Sequence, residues 1–379
     1  PGRGIDVQEG ATMAVSGCLL QGNTAAGIVV TDSSTELNLS ATVVRGTTQE
    51  GEGGRGLDVG NGASAVVSDC LFESNTELGI VVGGGGTTMS LSATVVQGTL
   101  PDGEGEFGHP LQVGQGASAV VSSCLFKGNT AVGIRVGHPD TKVDLSATVV
   151  QGTMPDGQGR GGVGMQTGEG AQATGSGCLL GGNTEAGISV WDSNTRMDLS
   201  ATVVKDTMPD AKGGVGVGAV VLQNASMFIL DSLFVENTTG GVFVLDGGSV
   251  RLEKSAVRNT RKGGAGAGGH FQSFGDGVVS GEGMVELVAT LVAGNGRSGV
   301  YFSSSSGSVS DSVIVDNEFY GLAMEECADQ VEWEGKGNFI LGNATAMPPD
   351  EAVEVTTSTG GMPVPPAPGM IEVAPDPVP

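Results

Sequence analysis

The chain repeats itself at a nearly fixed interval, and that period decides most of what it can fold into. The phrase SATVV begins at Ser40, Ser92, Ser146 and Ser200, in steps of 52, 54 and 54 residues. A second phrase, S-x-C-L-[LF]-x-x-N-T, sets Cys18, Cys70, Cys124 and Cys178 at the same steps. The two phrases also align with each other, SGCLLQGNT (16–24) over SATVVRGTT (40–48), so each long repeat is a pair of similar coils. The turn position runs Asn23, Thr47, Asn75, Thr99, Asn129, Thr153, Asn183, Thr207 and Asn237, then Asn259, Asn295 and Asn317. Short steps are 22 or 24 residues and long ones 28 to 36, so a loop in every second coil absorbs the variation.

Inside a coil the apolar spacing is two, which predicts strands rather than helices. Met13 and Val15 alternate, then Cys18 and Leu20, and after the Asn turn Ile28 and Val30. Three short strands closing on themselves every 22–24 residues describe one turn of a parallel β-helix. Its inward rows can be read as columns: Met13, Leu37, Ala65, Met89, Ala119; Val15, Leu39, Val67, Leu91, Val121; Leu20, Val44, Phe72, Val96, Phe126. One coil cannot bury its apolar side, whereas a stack can. The predicted fold is all-β, a solenoid of about 12–13 coils, roughly 60 Å long at a strand spacing of ~4.8 Å.

Segments such as NTAAGIVV (23–30), NTELGIVV (75–82) and NTAVGIRV (129–136) resemble the N-x-x-x-G-I-x-V signature of right-handed parallel β-helix repeats, the pectin lyase-like superfamily. The likeness covers roughly residues 1–345. It implies the fold, together with an extracellular or cell-surface setting in bacteria, but one such scaffold carries many activities.

Composition narrows the partners. With 17 Lys+Arg against 42 Asp+Glu the net charge is −25, which repels a phosphate backbone, so no nucleic acid is expected. No apolar run reaches the ~18–20 residues of a membrane span. Aromatic residues are only 4% of the chain, few for sugar-stacking platforms.

The cysteine row alternates with Thr42, Thr94, Thr148 and Thr202. Successive cysteines are therefore two coils, roughly 10 Å, apart, too far for disulfides or a shared zinc ion. They read as small buried residues, and Cys327 stands off the row. Because the regular Thr column points inward, it is not an outward ice-binding array. The Asn row (Asn23, Asn75, Asn129, Asn183, Asn237, Asn259, Asn295, Asn317) reads as structural, because Asn tolerates left-handed bends and can pass amide hydrogen bonds along a stack.

Chemistry should sit on loops or on an outward strand face. Loops 47–56, 99–110, 153–164, 207–218 and 261–277 should emerge at one corner as a Gly-rich fringe. In one of them Asp102, Glu104 and Glu106 offer oxygen ligands for calcium, the one cofactor the chain suggests. Two coils on, the equivalents are Asp156, Gln158 and Arg160, so a solvated acidic loop is the competing reading. Outward positions of the G-I-x-V strand run Asp6, Val29, Asp58, Val81, Gln112, Arg135, Gln166 and Ser189. Asp6 and Asp58, two coils apart, are the candidate catalytic carboxylates, near the separation an inverting glycosidase uses. No His or Lys is expected beside them, and His109 and His138 read as solvated loop residues. Trp191, in VWDSN, reads as one exposed aromatic residue, which does not by itself make a cleft.

The chain begins at a coil boundary, GRGIDV (2–7) being a copy of GRGLDV (54–59), so further coils, a cap or end-to-end stacking are expected there. After Met324 the pattern degrades into a last atypical coil with Trp333, Phe339 and Ile340. Residues 346–379 hold nine of the 15 prolines and no Lys or Arg, and read as an acidic tail or linker to the 1–345 solenoid. The expected role is a non-catalytic stalk, adhesin or assembly module with polysaccharide or protein partners. A polysaccharide lyase or glycoside hydrolase is the alternative.

Overall fold

A computed structural model describes residues 2–49, 53–209, 214–263 and 274–343; the Pro-rich segment 346–379 lies outside the described residues. The chain winds as a parallel β-helix of thirteen coils. Three sheets of 13 strands each run its length, and every neighbour in a sheet is three strands away in sequence. The first coil sets the pattern with strands Arg3–Val7, Thr12–Ser16 and Leu19–Gln21, and Ala26–Val30 opens the second coil against Arg3–Val7. Among the described residues there is no α-helix, and the one helical turn is 3-10, Ala328–Gln330. It falls in the thirteenth coil, whose strands Val331–Glu332 and Phe339–Leu341 complete the atypical end. No helix among the described residues is long and apolar enough to cross a membrane.

The columns stack in the register that the repeat period predicts. Met13 pairs with Leu37, Leu37 with Ala65 and Ala65 with Met89; Leu20 pairs with Val44 and Val44 with Phe72. One core runs the whole rod, with Phe72, Phe126, Phe234 and Phe302 among its largest enclosed side chains. Every coil borrows its neighbours' apolar surface, so the rod is stable as a stack.

All three turns of a coil carry left-handed residues, the first at positions such as Glu9, Asn61 and Gln115. Between the second and third strands each of the first twelve coils has one left-handed residue, among them Gly17, Ala41, Asp69, Ala93 and Ser123. After the third strand comes another, among them Gly22, Gly46, Ser74, Gly98 and Gly128. The buried Asn of the ladder is the next residue along and is not left-handed. Its amide ties coils together instead: Asn129 Oδ1 accepts the Thr99 N–H at 2.9 Å and Nδ2 donates to the Val96 carbonyl at 3.1 Å. Asn75, Asn183, Asn237 and Asn295 repeat the bond through Oδ1 to Thr47, Thr153, Thr207 and Thr260. Among the described residues amides stack directly at the end alone, where Asn295 Nδ2 donates to Asn317 Oδ1 and Asn317 Nδ2 to Asn343 Oδ1.

Three expectations change here. Thr260, not Asn259, occupies the ladder; Asn259 is exposed and takes the left-handed bend itself. Asn23 is only half-buried, and its Nδ2 has no partner because no described coil lies before it to supply a carbonyl. Cys18 is exposed for the same reason, whereas Cys70, Cys124 and Cys178 are buried and all five cysteines are free thiols. Burial raises the Cys124 thiol to about 11 and pushes Cys70 and Cys178 up as well.

Candidate functional site

The first sheet is built differently from the others. In its strands two consecutive residues, Gly and Ile in the repeats, both face inward, so the residues flanking them both face out. A Cβ on Gly4 would stand 2.6 Å from the Gly27 carbonyl and 3.0 Å from Leu20. The same obstruction recurs from coil to coil, with Gly27 against Gly56 and Gly218 against Gly241, so close backbone approach enforces the glycine. The outward residues are then three apart. Arg3 pairs with Asp6 at 2.6 Å and Arg55 with Asp58 at 2.7 Å.

The two candidate carboxylates therefore lie on one face, in one column with Val29 between them. Each is held by an arginine of its own strand, a basic neighbour the sequence reading did not assign. The signal was present as the R-G-[IL]-D phrase at 3–6 and 55–58. Arg55 also reaches Glu77 at 3.7 Å. Burial raises the Glu77 carboxyl above its ordinary value, partly offset by the Arg55 charge. For Arg55 burial works downward, but Asp58 and Glu77 outweigh it and the guanidinium is held more firmly protonated.

Beside this column runs a strip of glycine. Gly60, Gly83 and Gly114 are paired in register, and Gly137 and Gly168 continue the line. Side chains from each following coil lean onto it. Gln115 Oε1 comes within 3.5 Å of where a Cβ on Gly83 would be, His138 Nδ1 within 3.1 Å for Gly114, and Glu169 Oε2 within 3.2 Å for Gly137. The Trp191 ring lies on Gly168, 2.4 Å from that position. The outcome is a trough floored by backbone and walled by planar side chains. Part of it forms a cleft of about 380 Å³ bounded by Arg55, Asp58, Gln112, Gln115 and His138, with Val29 and Val81 between. Glu169 lies 3.4 Å from both Arg135 and His138, so it ties the end of the cleft together. Trp191 is half-buried against its glycine.

His109 is not a loop residue. It opens the strand His109–Gly114 and is buried, and burial lowers it to about 3, with the nearby Arg135 charge acting in the same direction. Its Nδ1 has no partner, and Phe107 packs edge-on against the ring at 5.8 Å.

Of the fringe loops, 99–110 and 153–164 line up against each other, whereas 50–52, 210–213 and 264–273 of the other three lie outside the described residues. Gly157 N–H donates to the Gly105 carbonyl at 3.0 Å, and Arg160 pairs with Glu106 at 2.9 Å across 54 residues of sequence. That pairing redefines the proposed calcium ligands. Asp102 Oδ1 accepts the N–H groups of Glu104 and Glu106, at 2.9 and 2.8 Å, as Asp156 does for Gln158 and Arg160. Asp102 shapes its own turn, Glu106 is engaged by Arg160, and Glu104 is exposed. Among the described residues no group of three or more His, Cys, Asp or Glu could hold a metal ion.

A model of the right-handed β-helix region matches residues 3–208, more than half of the chain. The chain belongs to the right-handed β-helix family. No curated protein matches it in sequence. Solved structures resemble it at low identity. A point mutant of the periplasmic alginate epimerase AlgG is 11% identical, covers 88% of this chain and 76% of its own, and gives a TM-score of 0.48. The A-module of the Azotobacter vinelandii mannuronan C-5 epimerase AlgE4 is 11% identical over 87% and 91%, with a TM-score of 0.44. The Streptococcus pneumoniae surface protein and adhesin PfbA is 10% identical over 84% and 91%, with a TM-score of 0.32. A β-helix scaffold hosts many activities, so the family does not choose between chemistry and binding.

Proposed function

We propose that this chain is a non-catalytic binding rod, displayed outside the cell or on a bacterial cell surface, that engages an extended partner along the trough of its first sheet. The observation that carries the reading is the state of the two candidate carboxylates. Asp6 and Asp58 are each closed into a short ion pair by Arg3 and Arg55. Hydrolysis of a glycosidic bond needs one carboxyl kept protonated and a second free to act as base or nucleophile. Here Arg3 and Arg55 each engage one oxygen of the carboxylate beside them, at 2.6 and 2.7 Å, where the reaction calls for an uncommitted pair. The rigid repeat and the row of amide and carboxylate side chains suit recognition of a repeating polymer, one unit after another.

A second reading, a glycoside hydrolase or polysaccharide lyase, is favoured by Glu77. Its carboxyl is shifted upward by burial, the direction a general acid requires, and it sits across Arg55 from Asp58. One experiment separates the two. The protein is incubated with acidic and neutral polysaccharides, with and without calcium, while products and retention are both followed. Retention without new reducing ends or unsaturated uronates supports the binding rod. Product formation that disappears in Asp58→Asn and Glu77→Gln establishes the enzyme instead.

A further inference from the structure

We infer that the trough is selective for a neutral glycan and turns away acidic ones; this rests on the binding-rod reading and specifies its ligand. Recognition of an acidic sugar requires an uncommitted cation to meet its carboxylate or sulfate. The basic groups along this face are committed. Arg3 is held by Asp6, Arg55 by Asp58 and Glu77, and Arg135 by Glu169, which also faces His138 at 3.4 Å. An incoming carboxylate would have to displace a protein carboxylate from each arginine, exchanging one ion pair for another with no net gain. It would do so against a chain whose net charge is −25, a field that slows the approach of any polyanion.

The remaining groups suit hydroxyls. Asn61, Gln112 and Gln115 each offer a donor and an acceptor, and Asp58 keeps an acceptor oxygen beside the arginine it engages. Val29 and Val81 lie between these polar groups in the same column and present an apolar strip to the C–H face of a sugar ring. Gln115 and His138 lie against the glycine floor, so the ring meets their planar faces there. Coils rise by about 4.8 Å, close to the length of one sugar in an extended polysaccharide, so a linear chain lying along the rod meets polar and apolar side chains in alternation, Asp6, Val29, Asp58, Val81 and Gln112, at successive units.

The test uses soluble neutral glucan, xylan and galactomannan against polygalacturonate and alginate, titrated at low and high salt into the protein and into Gly83→Leu. A Cβ at Gly83 meets only Gln115 Oε1, at 3.5 Å, and its backbone is not left-handed, so the fold accepts the side chain while the trough floor is filled. The melting curve of Gly83→Leu verifies that. The expected result is binding of at least one neutral glycan, insensitive to salt, without turnover, and weakened about tenfold or more by Gly83→Leu. Polyuronate binding that falls with salt and is lost in Gly83→Leu overturns the ligand class but leaves the binding rod in place. Binding that survives Gly83→Leu, or no neutral glycan bound at all, overturns the trough as a glycan site. A protein partner captured in the trough does the same. Release of new reducing ends overturns the binding-rod reading itself.

Discussion

Asn75 Oδ1 accepts the Thr47 N–H at 3.1 Å, a bond that crosses from the end of the third coil to the end of the second. Its Nδ2 donates to the Val44 carbonyl at 3.2 Å in the same preceding coil. Asn129, Asn183 and Asn237 do the same, so each of these amides satisfies two backbone groups that the solenoid would otherwise bury without partners. Repetition turns these bonds into the axial fastening of the rod.

Asn129→Ala should therefore be strongly destabilising. It strands the Thr99 N–H and the Val96 carbonyl, each costing about 1–3 kcal/mol when left buried and unpaired. Asn259→Gly, at the exposed left-handed bend, should stay within about 0.5 kcal/mol of the parent. Urea unfolding of the two variants checks this. Equal losses would mean that Asn259 and not Thr260 bears on the ladder.

The glycine column makes a second contrast. At Gly218 a Cβ would lie 2.4 Å from the Gly241 carbonyl, an obstruction of backbone by backbone that only a shift of whole coils relieves. Gly218→Ala should lower the melting temperature sharply, with a loss of about 3 kcal/mol or more expected of overpacking at a rigid contact. Gly85→Ala, where no atom lies within 4 Å, should be near neutral. If Gly218→Ala melts like the parent, the two inward residues per first-sheet strand are wrongly placed, and the trough with them.

Those two contrasts also mark how far the sequence was readable. Column register is a property of the period, so Met13 over Leu37 over Ala65 could be taken straight from the repeat. Asn259 was misplaced because Asn259 and Thr260 both suit the turn, and one residue decides which is bent and which is buried. His109 was hidden by Pro110, which takes the place of the column glycine and made a strand start look like a loop. The arginine partners were missed for a geometric reason. Strand alternation suggests neighbours at i and i+2, whereas the doubled inward pair sets Arg55 and Asp58 three apart. His138, Glu169 and Trp191 reach the trough by leaning across a coil, a relation that depends on turns of unequal length and leaves no local trace.

Thiol chemistry gives a third prediction. Cys18 is exposed, whereas Cys70, Cys124, Cys178 and Cys327 are buried. A maleimide reagent should modify Cys18 in the native protein and the others only in denaturant. The pH dependence follows from the direction of the shifts. A thiol whose folded value is raised keeps the native state protonated, so its contribution is full below the unfolded value and fades as pH rises through the folded one. For Cys124 that window runs from 9.0 to about 11, with Cys70 and Cys178 acting in the same sense. Cys124→Ala should flatten the alkaline fall in stability measured by denaturant titration. An alkaline limb unchanged by the substitution would count against thiol ionisation as its cause.

His109 acts at the other end of the pH scale. Burial, helped by the Arg135 charge, depresses its pKa from 6.5 to about 3, so the folded chain keeps the ring neutral while the unfolded chain takes up a proton below 6.5. Its contribution is therefore complete above 6.5 and is lost progressively as pH falls toward 3. One proton bound on unfolding gives a slope of about 1.4 kcal/mol per pH unit in that window. His109→Leu removes both the proton and the unpartnered Nδ1 while keeping an apolar side chain beneath Phe107. The variant should unfold with about one proton fewer than the parent at about pH 5, so its acid limb should be shallower, whereas the two curves should converge in slope above neutrality. Parallel acid limbs would show that the ring is charged in the folded rod, and would place it in water rather than under the fringe loops.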